Sequence, residues 1–216
     1  MTEEGEAAAA GLRERKKELT RQRISAVATD LFLERGFDRV TVAEVARAAN
    51  VSTKTVFNYF PRKEDLYFDR GPQAKALISQ ALERRAPDET TLRALRDLAL
   101  RQAAGSHPLG RMSADDAPFW RTVTESPTLR ARLRELAEDA EDGLAELFAR
   151  TEGAAPDALW PRVKAAAVVY ALRTVYVRAL GRILAGEPES AVRADYIRDL
   201  RRTFDALGRG FDSAES

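Results

Sequence analysis

Cysteine is absent and histidine occurs once, at His107, so the chain has neither a disulfide framework nor a thiolate or multi-histidine metal site. Nothing in this composition points to an oxidising compartment. Long apolar runs are also missing: the longest, 165–172, holds eight residues, whereas a membrane-spanning helix needs about twenty. The opening MTEEGEAAAAGLRERKK is acidic and then basic, without the apolar core of a signal segment, and the expectation is a cytoplasmic protein. No catalytic set is recognisable. Asp115 and Asp116 form an acidic pair that nothing else accompanies, and they read better as the cap of a helix carrying Phe119 and Trp120. No metal, cofactor or catalytic residue is therefore expected.

What is present is charge and helix-forming residues. Of 216 residues, 44% are hydrophobic and 32% charged, and Ala, Leu, Arg and Glu are prominent, which describes a helical chain long enough to bury a sizeable core. The net charge of +1 hides an uneven distribution. Residues 11–63 carry twelve Lys and Arg against six Asp and Glu, while residues 71–216 carry 22 of each sign. A basic leading part on a neutral remainder suits either a polyanion-binding head or a solvated charged arm.

From residue 20 the pattern is helical. In TRQRISAVATDLFLERGF, apolar side chains at Ile24, Val27, Ala28, Leu31 and Phe32 recur at helical spacing, Thr20 offers a cap, and Gly36 offers a left-handed terminator. In VTVAEVARAANVS, Thr41 and Glu44 have the spacing of a capping box, and Asn50 tolerates the left-handed backbone of a sharp turn. Ser52 can cap a third helix running from Thr53 to about Tyr59, which Pro61 ends. One longer helix and two short ones across a tight turn make a helix-turn-helix unit. Val56 and Phe60, four residues apart, share a face that belongs to its core. Further helical segments are expected at 63–70, 73–85, 89–104, 118–125, 128–151, 158–184 and 190–207, with no competing strand pattern. The fold class is thus all-α, with a flexible basic arm over 1–19, a helix-turn-helix domain over 20–66 and a larger helical domain over 67–216.

The block ATDLFLERGFDRVTVAEVARAANVSTKTVFNYFPRKEDL combines a first helix ending in Gly-Phe, a Thr-Val-x-x-Val-Ala helix, a Val-Ser turn and an aromatic-x-Tyr-Phe-x-x-Lys-Glu-x-Leu ending. In this it resembles the TetR family of one-component transcriptional regulators. The resemblance implies an N-terminal DNA-binding domain and a helical ligand-binding and dimerisation domain. Thr53, Lys54 and Thr55 occupy the first turn of the third helix, from which side chains can reach base edges in a major groove; Lys54 could instead hold a phosphate. Tyr59 and Lys63 are similar to the family's phosphate-binding residues. Thr41 and Ser52 cap the two short helices and are assigned with them to the DNA backbone. Phe57 departs from the family's usual tyrosine and has no hydroxyl to offer, which leaves contact with sugar or a thymine methyl. Asn58 stands where many members carry a histidine, and either contacts a phosphate or faces solvent. Arg62 replaces the small polar cap common at the next helix start, where Glu64 and Asp65 still complement the helix end. Arg13, Lys16, Lys17 and Arg21 form either an arm that follows the DNA backbone or a basic tail without a defined site.

In the remainder, WPRVKAAAVVYALRTVYVRALGRIL and SAVRADYIRDLRRTFDALG are the candidate dimer helices, the second presenting Val192, Tyr196, Leu200, Phe204 and Leu207 as a stripe. The alternative is an intramolecular core, and the family likeness favours dimerisation. Phe119, Trp120, Val123, Phe148, Tyr170 and Arg173, with Tyr176 beside them, are a candidate ligand-pocket wall, with plain core as the other reading. His107 beside Pro108 reads as a loop residue. The expectation is a repressor that binds a palindromic double-stranded DNA operator as a homodimer and is released by a small-molecule effector; arginines such as Arg173 and the apolar wall would suit an acidic, amphiphilic ligand, and the likeness of VFNYF to other regulators suggests an acyl-CoA-like one. A helix beginning near Lys63, with a bend at Gly71-Pro72, would carry the movement. The competing readings are a constitutive architectural DNA-binding protein without an effector and an all-helical enzyme with an incidental helix-turn-helix.

Overall fold

The computed structural model describes residues 3–105, 110 and 112–214, giving only the backbone course for 3–10, 12–14, 213 and 214. Among the described residues there is no strand, and nine α-helices follow one another: α1 (Glu3–Arg35), α2 (Val42–Ala48), α3 (Thr53–Tyr59), α4 (Gly71–Glu83), α5 (Thr91–Ala104), α6 (Ala117–Glu125), α7 (Pro127–Glu152), α8 (Leu159–Leu184) and α9 (Glu189–Ala214). Contacts divide the chain into two compact units. One is Met1–Asp69 together with Thr122–Leu129, and the other is Arg70–Arg121 together with Arg130–Ser216. The sequence places the boundary at 66/67, and nothing in it marks residues 122–129 as part of the first unit.

The first unit is built on a four-residue ladder. Ile24, Ala28 and Phe32 of α1 are each fully buried, and the Phe32 ring lies 5.0 Å from Phe37 and 5.7 Å from Tyr67. Gly36, at φ 84, ends α1 and lets the chain turn back, so that Phe37 packs under the helix it follows. Residues 122–129 close this core with Val123, Ser126 and Leu129, all buried. Leu129 N donates to Ser126 Oγ at 3.3 Å, and Ser126 Oγ lies 3.5 Å from Asp38 Oδ1. The Tyr67 hydroxyl bonds Thr122, and burial pushes its pKa up to about 12.

Two local expectations change. The helix expected to start at Thr20 begins at Glu3, and Thr20 Oγ1 donates to the Lys16 carbonyl (2.9 Å) within it instead of capping. The segment 63–70, expected as a helix, forms only a 3₁₀ turn at Glu64–Leu66; Gly71-Pro72 then opens α4, with proline in its first turn, and does not bend a continuing helix. His107 and Pro108 lie outside the described residues.

The second unit packs α5, α7, α8 and α9 together in two clusters. One gathers Leu95, Leu144, Ala145, Phe148, Ala165, Val168 and Phe204; the other gathers Ala103, Met112, Ala179, Ile183, Val192, Tyr196 and Leu200. This overturns one expectation. In the α9 stripe Val192, Tyr196, Leu200 and Phe204 are buried at 7% exposure or less by the chain's own helices and Leu207 packs half-buried against the first cluster, so the stripe is intramolecular core and not a dimer face. Large apolar side chains stand in solvent instead on α8, where Val163, Tyr170 and Val177 recur every seventh residue.

Candidate nucleic-acid interface

The short helices α2 and α3 are held by different caps. At α2, the Thr41 side chain accepts from Glu44 N (3.2 Å) while Thr41 N donates back to Glu44 Oε2 (2.8 Å), a complete capping box. Arg35 Nη2 lies 2.7 Å from Glu44 Oε1, and the bonds from the Thr41 backbone and then from Arg35 hold the Glu44 carboxyl down at about 2. Asn50, at φ 53, turns the chain from α2 towards α3. At α3, Ser52 Oγ accepts from Thr55 N at 3.0 Å.

The phase of α3 separates core from surface. Val56 and Phe60 are buried, at 0% and 1% exposure, and Thr53, Lys54, Phe57 and Asn58 are exposed. Positions 53 and 57, and 54 and 58, are four apart, so these four side chains form one outward face. Thr55 is half-buried and its hydroxyl is 2.8 Å from that of Ser52, which ties it into the cap. Tyr59 is half-buried at the end of the helix. Thr41 and Ser52 are exposed as well as capping.

Two cations assigned to DNA from the sequence are turned into the fold. Lys63 Nζ donates to the Phe37 carbonyl oxygen (2.6 Å) and sits 4.2 Å from the Phe37 ring centre, and desolvation holds its pKa below the usual lysine value. Arg21 Nη2 donates to the Asp69 carbonyl (2.7 Å), with its guanidinium 4.9 Å from the Phe60 ring centre, and Ser25 Oγ donates to Asp69 Oδ2 at 2.6 Å. Arg21 is thus a tie between α1 and the end of the unit. Lys16 and Lys17 are exposed along α1, and the Arg13 side chain lies outside the described residues. At the next turn, Arg62 N donates to Asp65 Oδ2 (3.1 Å), which supplies the cap that the Arg62 side chain cannot. Sequence reasoning missed Arg47 as a surface group of this unit: it ends α2 and is exposed, and its only signal was its place in the last turn.

Comparison with known proteins identifies the family. Residues 24–69 match the family model of bacterial regulatory proteins of the tetR family, and residues 97–212, more than half of the chain, match the MftR C-terminal domain. The chain belongs to the TetR family. It is 31% identical over 147 residues to the transcriptional regulator TcmR of Streptomyces glaucescens, a stretch covering 66% of this chain and 65% of TcmR. It is 25% identical over 204 residues to MftR of Mycobacterium tuberculosis, described as a mycofactocin biosynthesis transcriptional regulator, covering 92% of this chain and 94% of MftR. In fold it is similar to the crystal structure of a TetR-family regulator from Rhodococcus sp., with a TM-score of 0.53, 17% identity and coverage of 86% of this chain and 98% of that one.

The pocket-wall residues expected from this TetR-family chain's sequence are divided among several places. Phe119 and Trp120 stack edge to face at 5.2 Å, and Trp120 continues to Tyr176 (5.3 Å) and Tyr176 to Tyr196 (6.2 Å). Burial raises both tyrosine pKa values, that of Tyr196 to about 12. Tyr196 is buried core, and Phe119, Trp120 and Tyr176 are half-buried against it in a row. Tyr170 and Arg173 are exposed on α8, and Val123 belongs to the first unit. Of the six, only Phe148 lines the large cavity of the second unit. That cavity, of about 1220 Å³, lies where α5 and α8 begin and α7 and α9 end. Among the described residues no group of three or more His, Asp or Glu could hold a metal, and no helix is long and apolar enough to cross a membrane.

Proposed function

We propose that this TetR-family chain is a DNA-binding transcriptional regulator that represses from a palindromic operator as a homodimer and is released by a small-molecule effector. The observation that carries the reading is the outward face of α3, where Thr53, Lys54, Phe57 and Asn58 stand exposed over a helix pinned from beneath by Val56 and Phe60. A helix fits the major groove, and side chains at its start reach base edges. Thr53 and Lys54 read bases. Phe57, one turn further along the same face, meets a thymine methyl or sugar. Asn58 and Tyr59 contact the backbone, as do Thr41 and Ser52 at the helix starts, and Lys16 and Lys17 add charge along α1.

Two-fold operators require two-fold proteins, with recognition helices about 34–36 Å apart. The exposed seven-residue repeat of Val163, Tyr170 and Val177 supports a dimer seam on α8. A ligand that favours the conformer with badly spaced helices would release DNA through a coupling of about 1–3 kcal/mol. The acyl-CoA-like expectation drew on Arg173, which is exposed on α8 and so gives it no support.

The test is nuclease footprinting together with fluorescence anisotropy on the DNA flanking the protein's own gene at several salt concentrations. The expected result is protection of a palindrome, with an affinity that falls steeply as salt rises. Salt-independent binding without a protected palindrome defeats the reading.

A further inference from the structure

The cavity at the shared end of α5, α7, α8 and α9 has an apolar floor of Phe148 and Phe204, at 1% and 2% exposure, and an apolar rim in Leu159 and Trp160, which are 74% and 48% exposed. Its lining holds five acidic and five basic side chains, and two of the ion pairs among them are unevenly buried. The Lys164 side chain is 8% exposed, and its ammonium pairs at 3.1 Å with Glu152, whose side chain is 34% exposed. Arg96, 35% exposed, pairs at 3.4 Å with Asp205, 49% exposed, and its Nε is buried without a hydrogen-bond partner among the described residues. The positive member of each pair therefore lies deeper than the negative one. A buried cationic donor left without an acceptor is costly, and an anion that reaches the Arg96 guanidinium through a local opening relieves that cost.

We propose that this cavity is a binding site for a carboxylate-bearing amphiphile, the acid group on Arg96 and Lys164 and the hydrocarbon body along Phe148, Phe204 and the Trp160 rim. A guanidinium offers a planar fork matched to a carboxylate. The volume is ample for a ligand of drug size. The inference rests on the effector-released reading only for its biological meaning; binding itself is independent of DNA.

Decanoate and decyltrimethylammonium, both below their micellar concentrations, are titrated calorimetrically into the full-length, DNA-free protein and into Lys164→Met and Gly208→Leu. Gly208 lines the cavity from α9 with an ordinary backbone, and a Cβ added there meets only Leu92 Cδ2, at 3.8 Å. Leucine is a better helix former than glycine, so the second variant occupies cavity space without weakening α9. Decanoate is expected to bind at least about tenfold more tightly than the cation, to lose about tenfold in Lys164→Met, and to bind with altered affinity in Gly208→Leu. The proposal is overturned if wild type binds no decanoate, if the cation binds equally well, or if a folded Gly208→Leu binds decanoate like wild type. Anisotropy of the operator complex separates the two readings. Decanoate that binds the protein yet leaves the complex intact keeps the site and removes its effector role; absent binding with a salt-dependent operator complex removes the site and keeps the regulator.

Discussion

Phe57 on α3 and Tyr170 on α8 are both aromatic, both on helices and about equally exposed, at 47% and 45%. Their neighbours separate them. Around Phe57 stand Thr53, Lys54 and Asn58, groups that donate, accept or carry positive charge, and that suit a polyanion with readable edges. Around Tyr170, seven residues away on either side, stand Val163 and Val177, which suit a second apolar helix. An exposed aromatic identifies a contact surface only through what is beside it.

The sharpest way to break the comparison is to move along α3 by one residue class. Phe60→Ala removes a ring that is 1% exposed and should destabilise the first unit by about 3–5 kcal/mol, taking DNA binding with it. Phe57→Ala should change stability by no more than about 0.5 kcal/mol while still weakening DNA binding. Chemical denaturation run beside anisotropy distinguishes the two. Equal destabilisation would mean that Phe57 is core after all.

On α8 the corresponding change is Tyr170→Glu. A carboxylate desolvated in an apolar seam costs several kcal/mol, so dimerisation should weaken at least about 100-fold, as read by sedimentation. The fold of the monomer should survive, since the side chain is exposed within one chain. An unaltered dimer would place the seam elsewhere.

A smaller effect separates two lysines of the first unit. Lys63→Ala removes a charged bond to the Phe37 carbonyl and should lower stability by about 1–2 kcal/mol while leaving the salt dependence of DNA binding unchanged. Lys54→Ala, on an exposed side chain, should leave stability alone and alter sequence preference by about 1–3 kcal/mol at one base pair. A salt slope lowered by about one in Lys63→Ala would return that residue to the phosphate contacts that the family resemblance implies.

These contrasts also mark what could be read in advance. The helix-turn-helix was legible because its signals are local: the Thr41 and Glu44 box, the left-handed Asn50 and the Val56 and Phe60 pair each act within a few residues. Long-range partners were not. Nothing near Lys63 announces that Phe37 supplies its acceptor 26 residues away, nor does Arg21 announce Asp69. The α9 stripe failed for a related reason, since periodicity shows that a face is apolar without showing whether the same chain or another copy covers it. Of the pocket set only Phe148 lines the large cavity, because that cavity lies at an end defined by loop and helix termini with no shared motif, while Phe119 and Trp120 pair with Tyr176 instead.

The smallest effect compares the caps of α2 and α3. Glu44 is held at about 2, below its ordinary 4.5, by the Thr41 backbone and Arg35, whereas the Ser52 cap of α3 has no titrating group. A depressed carboxylate pKa means that the contribution of the α2 cap is complete above about 4.5 and is lost as pH falls from there towards 2. Amide hydrogen exchange between pH 5 and pH 2 should therefore show the first turn of α2 losing protection before the first turn of α3. Glu44→Gln should remove the difference in pH dependence, because glutamine keeps an acceptor at the box position without a charge to titrate. Simultaneous loss in both helices would show that the unit opens as a whole and that the Glu44 bonds do not set the stability of α2 on their own.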